Sequence, residues 1–411
     1  MKPQSKETYI GIDINNSFIQ ISYYQTDMKE PETISVIAGE EKYLIPTALC
    51  QKKSSGAWHY GEEAKRIHSN NEGTYIDNLL EKAIAKEEIL LDELYYAQDL
   101  FFILLRKILK LITKTIEQGE IAKLTFTVEE VTLPLVSLLE RAAEILGIKR
   151  EALAVQDYKE SFYYYALCQP KEMWQNDIAL FEYRKNYIVC LILHKDMRQN
   201  PIHAAVEELY LGTLPENPRE KDALFETMVK NAFEKRIFSA VYLIGDGFEG
   251  DWMKSSLNLL CRGRRVFQGK NLYTKGACYS GFYANHDEEW NFSYFCSYKT
   301  TENISLQVHA KEKIKFYPLV KACSNHHEIN TSCEVLIDGE PAIELWIQKP
   351  GSQEATIKIL ELPGLPIRPA RTTRLKIEVL ATKEGDILVK VTDLGLGELF
   401  PASGKTWEFE I

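Results

Sequence analysis

The stretch Tyr9–Tyr24, YIGIDINNSFIQISYY, decides how the whole chain is read. An apolar strand runs into Gly11-Ile12-Asp13, turns at Asn15-Asn16-Ser17 and returns as a second apolar strand. That outline is the outline of a phosphate-binding turn, in which glycine lets backbone N–H groups close on an anion. Here side chains stand where bare backbone is wanted. Asn tolerates left-handed geometry, so the turn reads either as a phosphate loop whose glycine has been replaced or as an ordinary hairpin tip.

Composition bounds what surrounds this turn. With 411 residues, 45% apolar and 26% charged, the chain is long enough for two or three domains, each with its own core. A net charge of −10 repels a polyanion and argues against nucleic acid as a partner. The run RGRR at Arg262–Arg265 reads as a solvated turn. Eight cysteines, at 50, 168, 190, 261, 278, 296, 323 and 333, include no Cys-x-x-Cys pair and suit a reducing compartment. The N-terminus MKPQSKETY carries no apolar core, and LFFILLRKILKLI from Leu100 is broken by Arg106, Lys107 and Lys110. A protein without membrane insertion, in the cytoplasm, is expected.

Along the chain, residues 8–25 and 33–50 read as strands and about 77–118 as helix, with apolar residues recurring at Leu100, Leu104, Ile108 and Leu111. A strand follows at Leu124–Val128, then a helix over Leu133–Leu146 that stops at Gly147. Residues 178–193 form two strands joined at Tyr183–Asn186. Helices are expected over 219–235 and 251–260, flanking AVYLIGDG, a strand that ends in a glycine turn. Two strand-turn-strand units, 9–23 and 178–193, each precede a helix-rich block and suggest two lobes of related design. Beyond Asn285 the runs ISLQVHA, AIELWIQ, RLKIEVLA and DILVKVTD alternate between turns such as DGEP, KPGS and KEGD, which predicts an all-β sandwich.

Set in order, these segments resemble the Hsp70 chaperones of the actin-like ATPase superfamily. GIDINNSFIQIS is similar to the first phosphate loop, IPTALCQKKSSGAWHYGEEAKR to the segment after it, and TFTVEEVTLPLVSLLERAAEILGI to the first connecting motif. VYLIGDGFEGDWM resembles the adenosine motif and NLYTKGACYSGFYA the closing helix. ILELPGLPIRPARTTRLKIEVLATKEGDILVKVTDLGLGE resembles the substrate-binding β-domain. The resemblance implies a two-lobed actin/Hsp70-type α/β fold over 1–284 (lobe I about 1–170, lobe II about 171–284), a linker at 285–295 and a β-sandwich over 296–411.

It also implies ATP with Mg²⁺ as the cofactor pair, and there the residues depart from the family. Asp13 holds the place of the magnesium-side aspartate, a hard ligand for a hard cation. Asn15, Asn16 and Ser17 replace a glycine and two threonines. Glu182 falls at the second aspartate, and Arg184, Lys185 and Asn186 fall on three glycines, where they read as a solvated hairpin tip. Leu79 takes the place of the hydrolytic lysine, with Lys82 one turn on. Gly245, Asp246 and Gly247 keep the shape of the adenosine loop, but only residues 196–240 stand where the family inserts a subdomain over adenine.

In the β-region the resemblance places Val308, Ile343 and Leu345 on a pocket for extended hydrophobic peptides, with Lys311 at its arch; inward-facing core residues are the alternative. No helical lid is expected after Ile411, so a bound peptide would exchange quickly. The reading is a protein- or peptide-binding scaffold with a degenerate ATPase site. The alternative is an active minimal ATP-dependent chaperone that binds Mg-ATP and unfolded peptides.

Overall fold

Two hairpins seed the first of two units into which the chain divides, Met1–Lys195 with Ala205–Trp290; the second comprises Asp196–Ala204 with Asn291–Ile411. The computed structural model describes residues 6–37, 39–116, 119–310, 313–338, 340–382 and 386–411. In the first hairpin, β1 (Lys6–Ile14) runs antiparallel to β2 (Phe18–Gln25), with Ile12 opposite Ile21 and Asp13 opposite Gln20. Short β3 (Glu32–Thr33) extends it beyond β2, while β4 (Gly119–Val128) and β5 (Leu153–Asp157) add in parallel on the other side of β1. The order is β5-β4-β1-β2-β3.

The second hairpin repeats the plan. β6 (Asp177–Arg184) pairs antiparallel with β7 (Tyr187–Asp196), and β8 (Ile202–Thr213) lies beyond β7. β9 (Phe238–Ile244) and β10 (Arg265–Gly269) add in parallel beside β6, giving β10-β9-β6-β7-β8. The middle strands β1 and β6 bury continuous runs, Thr8–Ile14 and Ile178–Phe181, as strands covered on both faces do.

Helices α1 (Ala97–Thr115) and α2 (Leu133–Leu146) share one apolar core with the first sheet, through Leu100, Leu104, Leu139 and Ile12 among others. Gly147, at φ 74°, closes α2 in the left-handed conformation expected of it. On the second sheet α4 (Pro218–Ala232) buries Phe225 and Val229 against Phe181 and Ile188. Two more helices lie where the halves meet: α3 (Tyr158–Leu167), whose N-cap Asp157 accepts from the Glu160 amide at 2.7 Å, and α5 (Leu272–Asn285). Phe162 and Tyr165 of α3 reach the ring of Tyr242 on β9. Helix α5 packs on β1 so tightly that a Cβ on Gly11 would lie 2.1 Å from the Thr274 carbonyl oxygen.

The expected helix over 77–118 is not continuous. It breaks into Leu79–Ile84, an antiparallel ribbon of Glu88–Leu90 with Leu94–Tyr96, and α1. Lys86 at φ 57° ends the first piece, and the residues after it alternate with period two before the helical period resumes at Ala97. The helix expected over 251–260 is shorter, Ser255–Leu260.

The second unit is a sandwich of two four-stranded antiparallel sheets. One is β12-β11-β14-β15, from β11 (Asn303–Ala310), β12 (Lys313–Val320), β14 (Ala342–Gln348) and β15 (Ala355–Glu361); the other is β13-β16-β17-β18, from β13 (Asn330–Ile337), β16 (Thr373–Ala381), β17 (Ile387–Asp393) and β18 (Thr406–Glu410). Alternate residues of both sheets, Leu306, Leu345, Ile377 and Val389 among them, fill one shared core. Residues Asp196–Ala204 join this unit, pairing Ile202–Ala204 with Phe292–Tyr294, a chain excursion the sequence reading kept in the first domain.

Candidate functional site

Asp13 is the penultimate residue of β1 and is 4% exposed. Its Oδ1 accepts a 2.7 Å hydrogen bond from the Tyr158 hydroxyl at the start of α3. The Tyr158 ring lies flat on that of Tyr273, near the start of α5, with centroids 4.1 Å apart and planes 3° from parallel. The Tyr273 hydroxyl donates to Glu182 Oε2 at 2.8 Å. The two carboxylates that the resemblance assigns to phosphate and magnesium are thus joined by a stacked tyrosine pair. Both tyrosines are 6% exposed, so the stack is buried between the two carboxylates.

The first turn is closed by its own side chain. Asn15 Oδ1 accepts from the amides of Ser17 at 2.9 Å and Phe18 at 3.0 Å, and the Asn15 amide donates to the Phe18 carbonyl at 3.1 Å. The resemblance would offer these backbone donors to a phosphate; here an Asx turn takes them. Thr47 Oγ1 holds the Asn15 carbonyl at 2.7 Å. Asn16 and Ser17 are exposed, and Asn16 Nδ2 reaches Glu81 at 3.4 Å.

At the second turn Lys185, at φ 52°, and Asn186 are exposed, as expected of a hairpin tip. Arg184 is not. Its guanidinium, 15% exposed, donates from Nε to Glu182 at 2.8 Å and from Nη1 to Glu129 at 2.9 Å, and lies 3.6 Å from Glu208. Glu208 in turn pairs with Lys159 of α3 at 3.1 Å. The expectation of a solvated tip is therefore corrected for Arg184: an acidic ring draws it inward as an ion-pair hub between the halves.

Electrostatics follow from this packing. Burial, with a smaller push from Glu182, raises the Asp13 carboxyl to about 7 against the pull of the Tyr158 hydrogen bond. Burial likewise raises Glu182 above the usual carboxylate range, opposed by Arg184 and Tyr273. Three carboxylates (Glu129, Glu182 and Glu208) share two cations, Arg184 and Lys159, while Asp13 is held by the Tyr158 hydroxyl. A magnesium ligand must be ionised and free to coordinate. Asp13 has a raised pKa and its Oδ1 is engaged by a tyrosine hydroxyl, and the cations Arg184 and Lys159 are held by carboxylates, so these residues do not fit Mg-ATP.

The remaining expected positions are placed as follows. Leu79 is fully buried in the first core. Lys82 bonds the Asp77 carbonyl at 2.7 Å and its carboxylate at 3.2 Å, one helical turn from its own start. Gly245 and Gly247 do form a turn after β9, with Asp246 exposed, but Tyr183 fills it: a Cβ on Gly247 would lie 2.3 Å from the tyrosine ring. Lys221 and Trp252 Nε1 each donate to the Gly247 carbonyl at 3.0 Å, and the Lys221 ammonium lies over the rings of Tyr183 and Trp252. In the sandwich, Leu345 and Ile343 are core, at 0% and 6% exposure, and half-buried Val308 packs against them; Lys311 lies outside the described residues. Tyr158, Tyr273, Tyr183 and Trp252 were not singled out by sequence reading.

The carboxyl of Asp13 gives a first expected result. Because its folded pKa is raised above the ordinary value near 4, the proton is held more tightly when folded, and stability is lost as pH rises from about 4 to about 7. Asp13→Asn keeps an acceptor for Tyr158 and removes the buried charge. It is expected to match the wild type near pH 4 and to exceed it by a few kcal/mol, at about 1.4 kcal/mol per unit, by pH 8. Urea denaturation at the two pH values measures this; a variant less stable than wild type at pH 8 would contradict it.

A family description, "family of unknown function (DUF5716) C-terminal", matches residues 30–297, and a second, "domain of unknown function (DUF8552)", matches residues 299–411. The junction between the two matches falls eight residues beyond Trp290, where the first unit ends. No curated protein matches the chain.

Proposed function

The chain belongs to that DUF5716 family, whose description assigns no activity, and from the site alone we propose an Hsp70-like binding module whose nucleotide cleft has been filled by its own side chains. Two sheets of the same strand order, each opened by a hairpin with an acidic residue at the end of its first strand, support descent from a two-lobed actin-like ATPase. One observation supports the loss of activity: the chain Asp13–Tyr158–Tyr273–Glu182 links, through buried stacked rings, the two carboxylates between which the resemblance would put a triphosphate. Hydrolysis further needs a group to orient water and to offset charge at the γ-phosphate, and Leu79 supplies neither. What remains is a two-half body and a sandwich, a scaffold for other proteins or extended apolar segments.

The test is phosphate release from Mg-ATP by the full chain. No release above the buffer blank is expected, and Asp13→Ala is expected to leave that baseline unchanged. Turnover at a chaperone's rate that disappears in Asp13→Ala would return the chain to the active class.

A further inference from the structure

The ribbon Glu88–Leu90 with Leu94–Tyr96, which interrupts the expected helix, has two unlike faces. Ile89, Leu91 and Tyr95 pack against the first core, and Tyr95 accepts a 3.0 Å hydrogen bond from Gln51 and meets the Trp58 ring edge-on. A two-stranded ribbon is marginal alone, so this inward face fixes it in place. The other face, carrying the cross-strand pairs Leu90–Leu94 and Glu88–Tyr96, points to solvent. There Leu90 is 78% exposed, Leu94 52% and Tyr96 52%. Leaving three large apolar side chains together in water has a cost that burial of the inward face does not require, since strand alternation would accept polar residues at these positions.

Around them stand Glu87, Glu88, Asp92, Glu93 and Asp99, all exposed. Among the described residues, no ion pair or side-chain hydrogen bond engages any of the five carboxylates. Lys86 is the one cation in the segment 86–99. An apolar centre inside an unpaired acidic rim is complementary to an apolar patch ringed by lysine or arginine.

We propose that the outward face of this ribbon is a docking surface for a basic, amphipathic segment of another protein, with Leu90, Leu94 and Tyr96 as the anchors and the carboxylates as the rim. The sign of the rim selects a protein segment over an anionic lipid surface or a nucleic acid, which it repels. The inference builds on the reading of the chain as a binding module but not on the state of the cleft, so either can fail while the other stands.

The probe is a fluorescein-labelled, 18-residue helix of leucine and lysine with its leucines on one face, titrated with the full chain and followed by anisotropy. Saturable binding is expected, weakened about tenfold or more by Leu90→Ser/Leu94→Ser and weakened by added salt. The control Glu216→Gln/Glu234→Gln, exposed acids elsewhere, is expected to bind as wild type does. Both double variants should melt with the wild type, since the altered side chains are exposed. Four results would overturn the proposal: no binding, equal binding by the serine variant, equal binding of a scrambled peptide of the same composition, or attachment of the chain to phosphatidylserine vesicles through these leucines. Ribbon-dependent self-association in sedimentation, with no peptide binding, would also overturn it by making a second copy the occupant.

Discussion

Gly276→Ala is expected to remove about 3 kcal/mol or more from the stability of the first unit, or to prevent its folding. Helices α3 and α5 cross at this glycine, where an added Cβ would lie 1.9 Å from the carbonyl oxygen of Ser161 and 2.7 Å from its carbonyl carbon. Both are backbone atoms, so no rotamer change relieves the clash and the helices must part. Ser161 is itself fixed, its hydroxyl 2.6 Å from Thr127 Oγ1 and accepting from Gln156 at 2.7 Å. Tyr158 and Tyr273 each lie three residues before the crossing point on their helices, so parting the helices would also separate the stack between Asp13 and Glu182. Gly269→Ala is the control, because nothing lies within 4 Å of the Cβ it would add. Urea midpoints of the two variants decide the matter; a Gly276→Ala midpoint equal to that of Gly269→Ala would mean that the crossing is not close.

Arg368→Met is expected to cost the sandwich about 3–5 kcal/mol, the penalty of leaving a buried charge without its partner. Arg368 and Asp393 form a two-pronged pair, both bonds at 2.8 Å, with side chains 6% and 0% exposed. Arg368 also donates to the Pro401 carbonyl at 2.7 Å, and Asp393 accepts from the amides of Gly395 and Ser403 at 3.0 and 2.9 Å, tying two loops to the end of β17. The Arg368 hydrogen bonds hold the Asp393 carboxyl well below the usual carboxylate range. The pair's stabilisation is therefore complete above about pH 4 and is lost as pH falls through the lowered folded value. In Arg368→Met the sign reverses: the lone carboxylate is raised, and acid, by neutralising it, narrows the deficit. Hydrogen exchange over residues 387–410 reads the local opening at pH 7 and pH 5. Protection unchanged from wild type would show that the pair is dispensable.

Much of the frame was legible because it is written in short-range patterns. The hairpin at Tyr9–Tyr24, its counterpart at 178–193, the Gly147 stop and the alternating runs after Asn285 each follow from local periodicity and turn chemistry. The ribbon at 88–96 was missed because its alternation spans too few residues to stand out between two helices of correct period. The candidate site was legible only in part. Asn15 read as a turn residue whose side chain competes for space, but not as one whose Oδ1 would accept from the Ser17 and Phe18 amides. The tyrosine bridge joins residues 145 apart in sequence, and no spacing rule reaches that far. One signal was present: SFYYYAL in α3 is apolar or aromatic on all sides, which marks a helix buried on more than one face. Arg184 was misplaced because its fate depends on Glu129 and Glu208, acids brought to it only by the fold.

Isothermal titration of the full chain with Mg-ATP asks most directly whether bulky side chains have displaced the nucleotide. A filled cleft predicts only heats of dilution at millimolar nucleotide, for wild type and Asp13→Ala alike. A saturable micromolar isotherm in the wild type that vanishes in Asp13→Ala would mean that the tyrosine stack opens for ATP, and would contradict the account.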